Sequence, residues 1–456
     1  MWATLFLKKM IKNVSWQMIS NILIMVIGIA QVSILTRYFT ASEFGILAIA
    51  TVIIQITQVF SDCGMSNYLM YKREQDNKIN ATVFWSSFIS GMLIFILIFL
   101  VGFIYKSFGE NVELAVLVII SSFCFIPLSL ASTFQANFVK EFRLVILAKI
   151  ELLSRILSFL FILLLLKLKF GIEVVIYSSI AQHSLKFLFL LAFSKAYYRP
   201  SLKFDVEIFK DAFKYGAYQV GSQLINKFRM NADLIILNLF VSQSSLGLYS
   251  LAKQLVTKPA ALITPIIQRI TLPEISKTIE LKVDVSNVLK KNHLICCFLL
   301  SFPYIYACFY SKEIVSIIYH NSVIDSYLYL IPLSIFWMLR YCCGGIVGSY
   351  VQANGKTKLD FKWNMLTLCL NLGVVLLGAK QGIIFVCWLQ VILQLILLPF
   401  IYMFFFKNVK KFTLFEFAFI ITINITFAIL AVSLSKEIPK DVIEGIGSVY
   451  YVIITT

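Results

Sequence analysis

The chain is predicted to be an all-α polytopic membrane protein of about 14 transmembrane helices, and three observations carry that expectation. Hydrophobic residues make up 60% of the 456 residues and charged residues only 14%, against about 25% charged in soluble domains. The apolar residues fall into recurring runs of about 20, the length that crosses a hydrocarbon core. No ten-residue alternation points to a barrel, and 41 Phe with only 9 Pro and 19 Gly suit long helices.

In chain order, the expected spans lie near 15–37, 42–61, 81–105, 112–134, 142–166, 171–193, 211–240, 244–271, 292–310, 323–350, 359–379, 381–406 and 413–434. A short fourteenth span covers 442–456. Met1 to Asn13 contains no small-residue cleavage site, so the first span is expected to be an anchor and not a removable signal peptide. The nine cysteines form no CxxC pair, and most sit in apolar runs as packing thiols, with no disulfide framework or zinc site expected.

Basic residues concentrate in alternate connections. The N-terminal stretch holds Lys8, Lys9 and Lys12, and the same side collects Lys72, Arg73, Lys78, Lys140, Arg143, Lys195, Arg199, Lys203, Lys210 and Lys214. It continues with Arg269, Lys277, Lys282, Lys290, Lys291, Lys356, Lys358, Lys362, Lys407, Lys410 and Lys411. The opposite connections carry few cations, so the positive-inside rule places both termini in the cytoplasm. This bias explains the net charge of +17 without nucleic acid as a partner. The opposite connections are also short, which leaves no external catalytic domain. Ile270 to Lys291 is expected to lie along the inner membrane surface as an amphipathic helix.

The chain repeats itself. At an offset of 202, Ser42 through Ala50 match Ser244 through Ala252, with Gln17 on Gln219 and Ile34-Leu35 on Ile236-Leu237. Ser42 and Ser244 are expected to cap the second helix of each set. Gln135-Ala136-Asn137 matches Gln352-Ala353-Asn354 at an offset of 217. The added length is expected in the cytoplasmic segment before the ninth span. Six helices per repeat give two lobes of the same orientation, related by a pseudo-two-fold along the membrane normal. The expected organisation is an N-lobe over 1–193, a cytoplasmic linker over 194–210, a C-lobe over 211–406 and an extra helix pair over 407–456.

Cations inside spans single out candidate binding residues, because a charge at bilayer depth costs about 3 kcal/mol or more. Lys227 and Arg229 lie in the seventh span, and Lys253 and Lys258 in the eighth. Their counterparts in the first lobe are the neutral Met25, Ile27, Thr51 and Ile56, so the fold does not require them. Arg229 has Asp233 one turn away and can pair locally. Lys149, Glu151 and Arg155 share the fifth span, with Glu151 and Arg155 at pairing distance. Lys186 and Arg340 complete the set of substrate-binding candidates. Asp233 and Glu151 are the candidates for ion coupling. Asp62 reads as a helix-ending turn. Pro259 and Pro265 should bend the eighth span beside Lys258.

Catalytic signatures fail on inspection. Gly355-Lys356-Thr357 resembles the end of a Walker A loop, but Tyr350 stands where its upstream glycine belongs. His183, His293 and His320 are too dispersed to bind one metal. No enzyme activity and no cofactor are expected.

Residues Ile34-Leu35-Thr36-Arg37-Tyr38-Phe39-Thr40-Ala41-Ser42-Glu43-Phe44-Gly45, Phe60 through Gly64, Pro265 through Pro273 and Gln352 through Lys358 resemble the motifs of Wzx-type polysaccharide flippases. These belong to the multidrug/oligosaccharidyl-lipid/polysaccharide exporter superfamily, in its lipopolysaccharide or teichuronic acid branch. The resemblance implies two six-helix lobes around a cationic cavity and alternating access in a bacterial plasma membrane. It also implies an undecaprenyl-pyrophosphate-linked oligosaccharide as cargo, moved from the inner to the outer leaflet. A polysaccharide polymerase and chain-length proteins are the expected protein partners. A cation-coupled drug exporter of the same superfamily and a membrane enzyme acting on lipid-linked sugar are the alternatives. The first span carries no acid of the kind that drug-exporting relatives use, which leaves coupling open.

Overall fold

The computed structural model describes residues 2–71, 77–109, 111–194, 201–355, 357–409 and 411–435. All regular structure among them is helical. The helices are α1 (Trp2–Leu35), α2 (Ala41–Thr57), α3 (Met65–Tyr71), α4 (Asn77–Phe108), α5 (Val112–Ser122) and α6 (Phe125–Lys140). They continue with α7 (Leu144–Lys167), α8 (Val174–Phe193), α9 (Val206–Leu237), α10 (Gln243–Glu280), α11 (Ser286–Phe309) and α12 (Ser311–Ile318). The last are α13 (Tyr327–Gly344), α14 (Val347–Ala353), α15 (Thr357–Gly378), α16 (Ile383–Phe405) and α17 (Leu414–Ser435). The expected span over 442–456 lies outside the described residues.

Among the described residues, ten segments are long and apolar enough to cross a membrane. Helices α7, α9 and α10 are also long enough, at 24, 32 and 38 residues, but their charged and polar residues keep them out of those ten. They are the three helices that hold most of the candidate binding cations. The chain is a multi-pass membrane protein whose charged helices are exceptions within an apolar set.

The chain divides into two compact units, Met1–Ile235 and Ile236–Thr456. In the first unit, Phe84, Phe134, Phe138, Leu147, Ile150 and Leu190 bury a common core from α4, α6, α7 and α8. A second cluster joins Met65, Tyr68, Leu69, Ile79 and Val83 to Ala212, drawing the start of α9 onto α3 and α4. Here two backbones meet. Cys63 and Gly64 adopt φ of 49° and 68°, and the turn presses so closely on α9 that a Cβ at Gly216 would stand 2.1 Å from the Cys63 carbonyl oxygen. Only glycine fits at 216.

In the second unit, α11 packs between α13 and α17. His293 stacks on Phe417, with ring centroids 4.6 Å apart, and Lys290 pairs with Glu416 in the first turn of α17. Glu416 also accepts from the Thr413 amide at 2.9 Å and so closes the helix start.

The 202-residue repeat is visible in hydrogen bonds. Helices α1 and α9 end at Leu35 and Leu237, and α2 and α10 begin at Ala41 and Gln243. The amides of Arg37, Tyr38 and Phe39 donate to Ile34, Leu35 and Leu35, while those of Leu239, Phe240 and Val241 donate to Ile236, Leu237 and Leu237. The caps are Thr40 and Ser242, two residues ahead of the serines expected for that role. Thr40 and Glu43 form a reciprocal capping box, which fixes the start at Ala41. The fourth span of each set is broken, between α5 and α6 and between α13 and α14.

Two further expectations are corrected. Ile270 to Lys291 is not a separate surface helix: α10 runs unbroken through to Glu280, and Lys290 and Lys291 already belong to α11. At about 1.5 Å per residue, the 38 residues of α10 reach about 57 Å, well beyond a hydrocarbon core. Its prolines at 259, 265 and 273 stay inside the helix. Next to Pro259, the buried Tyr304 hydroxyl donates to the Val256 carbonyl at 2.9 Å. The second repeat also takes up its extra length elsewhere. Helices α4 and α5 are separated by 109–111, whereas α11 and α13 are separated by 310–326, which contains α12.

Candidate functional site

A cavity of about 360 Å³ lies within the first unit. Four helix faces build it, each with the 3- or 4-residue spacing that aligns side chains along a helix. Helix α2 and the turn after it supply Gln55, Gln58 and Asp62; α6 supplies Leu128, Ser132, Gln135 and Val139. Helix α8 gives His183 and Lys186, and α9 gives Gln223 and Lys227. The wall is rich in side-chain amides and hydroxyls, which is unusual among helices this apolar.

The charges in this wall have distinct surroundings. Lys186 donates to Glu151 of α7 at 2.8 Å, with side chains 19% and 25% exposed. Asp62 accepts from the Gly64 amide at 3.0 Å and from the Ser66 hydroxyl. It is therefore both the expected turn residue and part of the wall. Among the described residues, Lys227 faces no carboxylate within ion-pairing distance. One turn further along α9, Asn231 donates to Gln55 at 3.3 Å and to the Lys227 carbonyl at 3.0 Å. These bonds fix the rotation of α9 against α2, and with it the direction of Lys227.

The remaining candidates lie elsewhere. Lys149 sits 5.2 Å from the ring centroid of Trp16. The expected Glu151–Arg155 pair is not formed, because Glu151 meets Lys186 across the α7–α8 contact, while Arg155 donates to Gln182 at 3.0 Å. Arg229 donates to Asn226 at 3.1 Å, with Asp233 one turn away. In the second unit, Lys253 is buried and Lys258 half-buried on α10. Tyr304 and Tyr319 hold that helix from its flank through the Val256 and Leu251 carbonyls, at 2.9 and 3.2 Å. Arg340 lies 5.4 Å from the Trp337 ring and 5.8 Å from Phe336.

The sequence reading missed Gln55, Gln58, Gln135, Gln223 and Asn231. The available signal was amide side chains recurring inside long apolar helices. Gln135 also stands in one of the two segments that reveal the repeat.

The apolar helical bundle thus holds a polar cavity lined by amides, hydroxyls and charged side chains, room for a polar ligand inside a membrane protein. Residues 34–326 match the polysaccharide biosynthesis protein family, and the chain belongs to that family. The amylovoran biosynthesis protein AmsL of Erwinia amylovora is 32% identical over 305 residues, 66% of this chain and 78% of that protein. The teichuronic acid biosynthesis protein TuaB of Bacillus subtilis is 26% identical, covering 85% of this chain and 80% of its own. In fold, the chain is similar to the lipid II flippase MurJ in an inward closed conformation, with a TM-score of 0.75 at 15% identity over 96% of this chain and 97% of the other. An inward-facing multidrug transporter of the MOP superfamily aligns with a TM-score of 0.64 at 14% identity, over 92% and 96% of the two chains.

Proposed function

We propose that the protein is a flippase for surface polysaccharide assembly. It moves an undecaprenyl-pyrophosphate-linked oligosaccharide from the inner to the outer leaflet by alternating access. The observation that carries this reading is the polar cavity of the first unit, with Lys227 set into it, inside a membrane protein of the polysaccharide biosynthesis family. The cations of the second unit, Lys253, Lys258 and Arg340, are assigned to the anionic part of the cargo. The repeat supports two lobes, 1–193 and 211–406, joined by a linker over 194–210, with an extra helix pair over 407–456. About 14 spans and cytoplasmic termini in a bacterial inner membrane complete the reading. Asp233 and Glu151 are the carboxylates assigned to any ion coupling. A polymerase and chain-length proteins are the partners that would receive the product.

The test is surface polysaccharide export in a host strain lacking its own copy, complemented with variants. Lys227→Ala, Lys253→Ala, Lys258→Ala and Arg340→Ala should each reduce export while the protein remains at normal abundance in the membrane. Full export by the combined variant would refute the cationic assignment. Glycosyl transfer or polymerisation by the purified protein would replace transport with an enzyme.

A further inference from the structure

The charges around the first-unit cavity balance. Lys186 and Lys227 contribute two positive charges; Asp62, in the wall, and Glu151, bonded to Lys186, contribute two negative ones. A site for pyrophosphate needs an excess of cations, because two closely spaced anionic phosphates must exchange water for charged donors. With Lys186 neutralised by Glu151 and Lys227 offset by Asp62, this wall offers none. What it offers instead is amides: Gln58, Gln135 and Gln223 line the cavity, and their side-chain amides make no hydrogen bond to another described residue. An amide presents two donors and an acceptor with two lone pairs on one planar group. That combination suits vicinal hydroxyls, each of which both donates and accepts. Ser132 adds a hydroxyl on the same face of α6 as Gln135. The volume of about 360 Å³ falls at the lower end of small-molecule sites.

We infer that this cavity is a sugar subsite, in which the free glutamine amides read hydroxyl groups of the cargo's glycan and set its specificity. The pyrophosphate is held elsewhere. The inference rests on the proposed transport of a lipid-linked oligosaccharide and adds which part of that cargo the first unit binds. Gln55 has a different duty, since it already accepts from Asn231. It is a positioning residue that keeps α9 and Lys227 in register with the amides.

The experiment measures equilibrium binding to the full-length protein in lipid nanodiscs. One probe is bare undecaprenyl pyrophosphate; the other is the same lipid carrying the host's own repeat unit, prepared from membranes of the strain lacking the transporter. The variants are Gln58→Met and Gln135→Met, singly and together, which keep length and volume and remove the amide. Unfolding midpoints confirm that each variant is folded. Each variant is expected to lower affinity for the sugar-bearing lipid by about two- to tenfold, the worth of one or two lost hydrogen bonds. Affinity for the bare lipid should stay at the wild-type value. Equal losses for both probes would place the pyrophosphate in the cavity and overturn the inference. An unchanged ratio in the double variant would overturn it too, while leaving transport intact. Wild-type protein that binds neither lipid would overturn the transport reading itself.

Discussion

Gly216 offers a test of how the first unit positions its site. Two glycines stand in the interior of α9, Gly216 and Gly221, five residues apart. Alanine is favoured over glycine in a helix by about 1 kcal/mol, so chain preference alone makes both substitutions stabilising. Their surroundings separate them. A Cβ at Gly221 meets nothing within 4 Å, whereas at Gly216 it would stand 2.1 Å from the Cys63 carbonyl oxygen. That oxygen belongs to a turn held by two positive-φ residues and by Asp62, which accepts from the Gly64 amide. The turn cannot yield as a flexible side chain would, so α9 must move by about 1 Å, and overpacking of this kind costs about 1–3 kcal/mol. Gly221→Ala should therefore be neutral or more stable by up to about 1 kcal/mol. Gly216→Ala should fall below it by about 1–3 kcal/mol, the clash alone, because the helix preference cancels between the two. Equilibrium unfolding of both purified variants in mild detergent measures the difference. Since the displaced helix carries Gln223 and Lys227, polysaccharide export should fall for Gly216→Ala only. Equal stabilities would refute the close approach of the turn to α9.

Further expectations concern single contacts. Glu151→Gln leaves Lys186 in a partly buried site without its partner and should destabilise by about 1–3 kcal/mol, less than a fully buried pair would; adding Lys186→Met should restore part of that loss in a double-mutant cycle. Tyr304→Phe leaves the Val256 carbonyl with one fewer donor next to Pro259 and should cost about 1–2 kcal/mol, read by thermal unfolding. Asp205 accepts from Lys78 at 2.6 Å and from the Glu207 and Ile208 amides at the start of α9. The Lys78 hydrogen bond and then these amides hold its carboxyl below the usual range. A depressed carboxylate stabilises the fold above its unfolded pKa of about 3.9 and loses that contribution as pH falls through the lower folded value. Hydrogen exchange at 205–209 should therefore accelerate only below about pH 4 in the wild type, and at every pH in Asp205→Ala. An acid-insensitive variant with wild-type protection would contradict the cap.

The helical membrane class and the 202-residue register of the first helix pair followed from the sequence, because each depends on local pattern. A run of about 20 apolar residues satisfies its own backbone only as a helix in lipid, whatever its neighbours. The 202-residue offset likewise fixed equivalent helix ends at Leu35 and Leu237, since the same connection recurs in both halves. The sequence also marked the unusual cations on α7, α9 and α10. Their partners were not legible. Glu151 had Arg155 at ideal spacing on its own helix, yet it bonds to Lys186, 35 positions away, because helix packing turns that face toward α8. Gln55, Gln58, Gln135 and Gln223 come from α2, the turn after it, α6 and α9, and nothing in their separate spacings announces a common cavity. Periodicity defines which residues share a face of one helix. Only the depth and rotation of several packed helices decide which faces meet, and here the contact of Gly216 with the Cys63–Gly64 turn and the bond from Asn231 to Gln55 set both for α9.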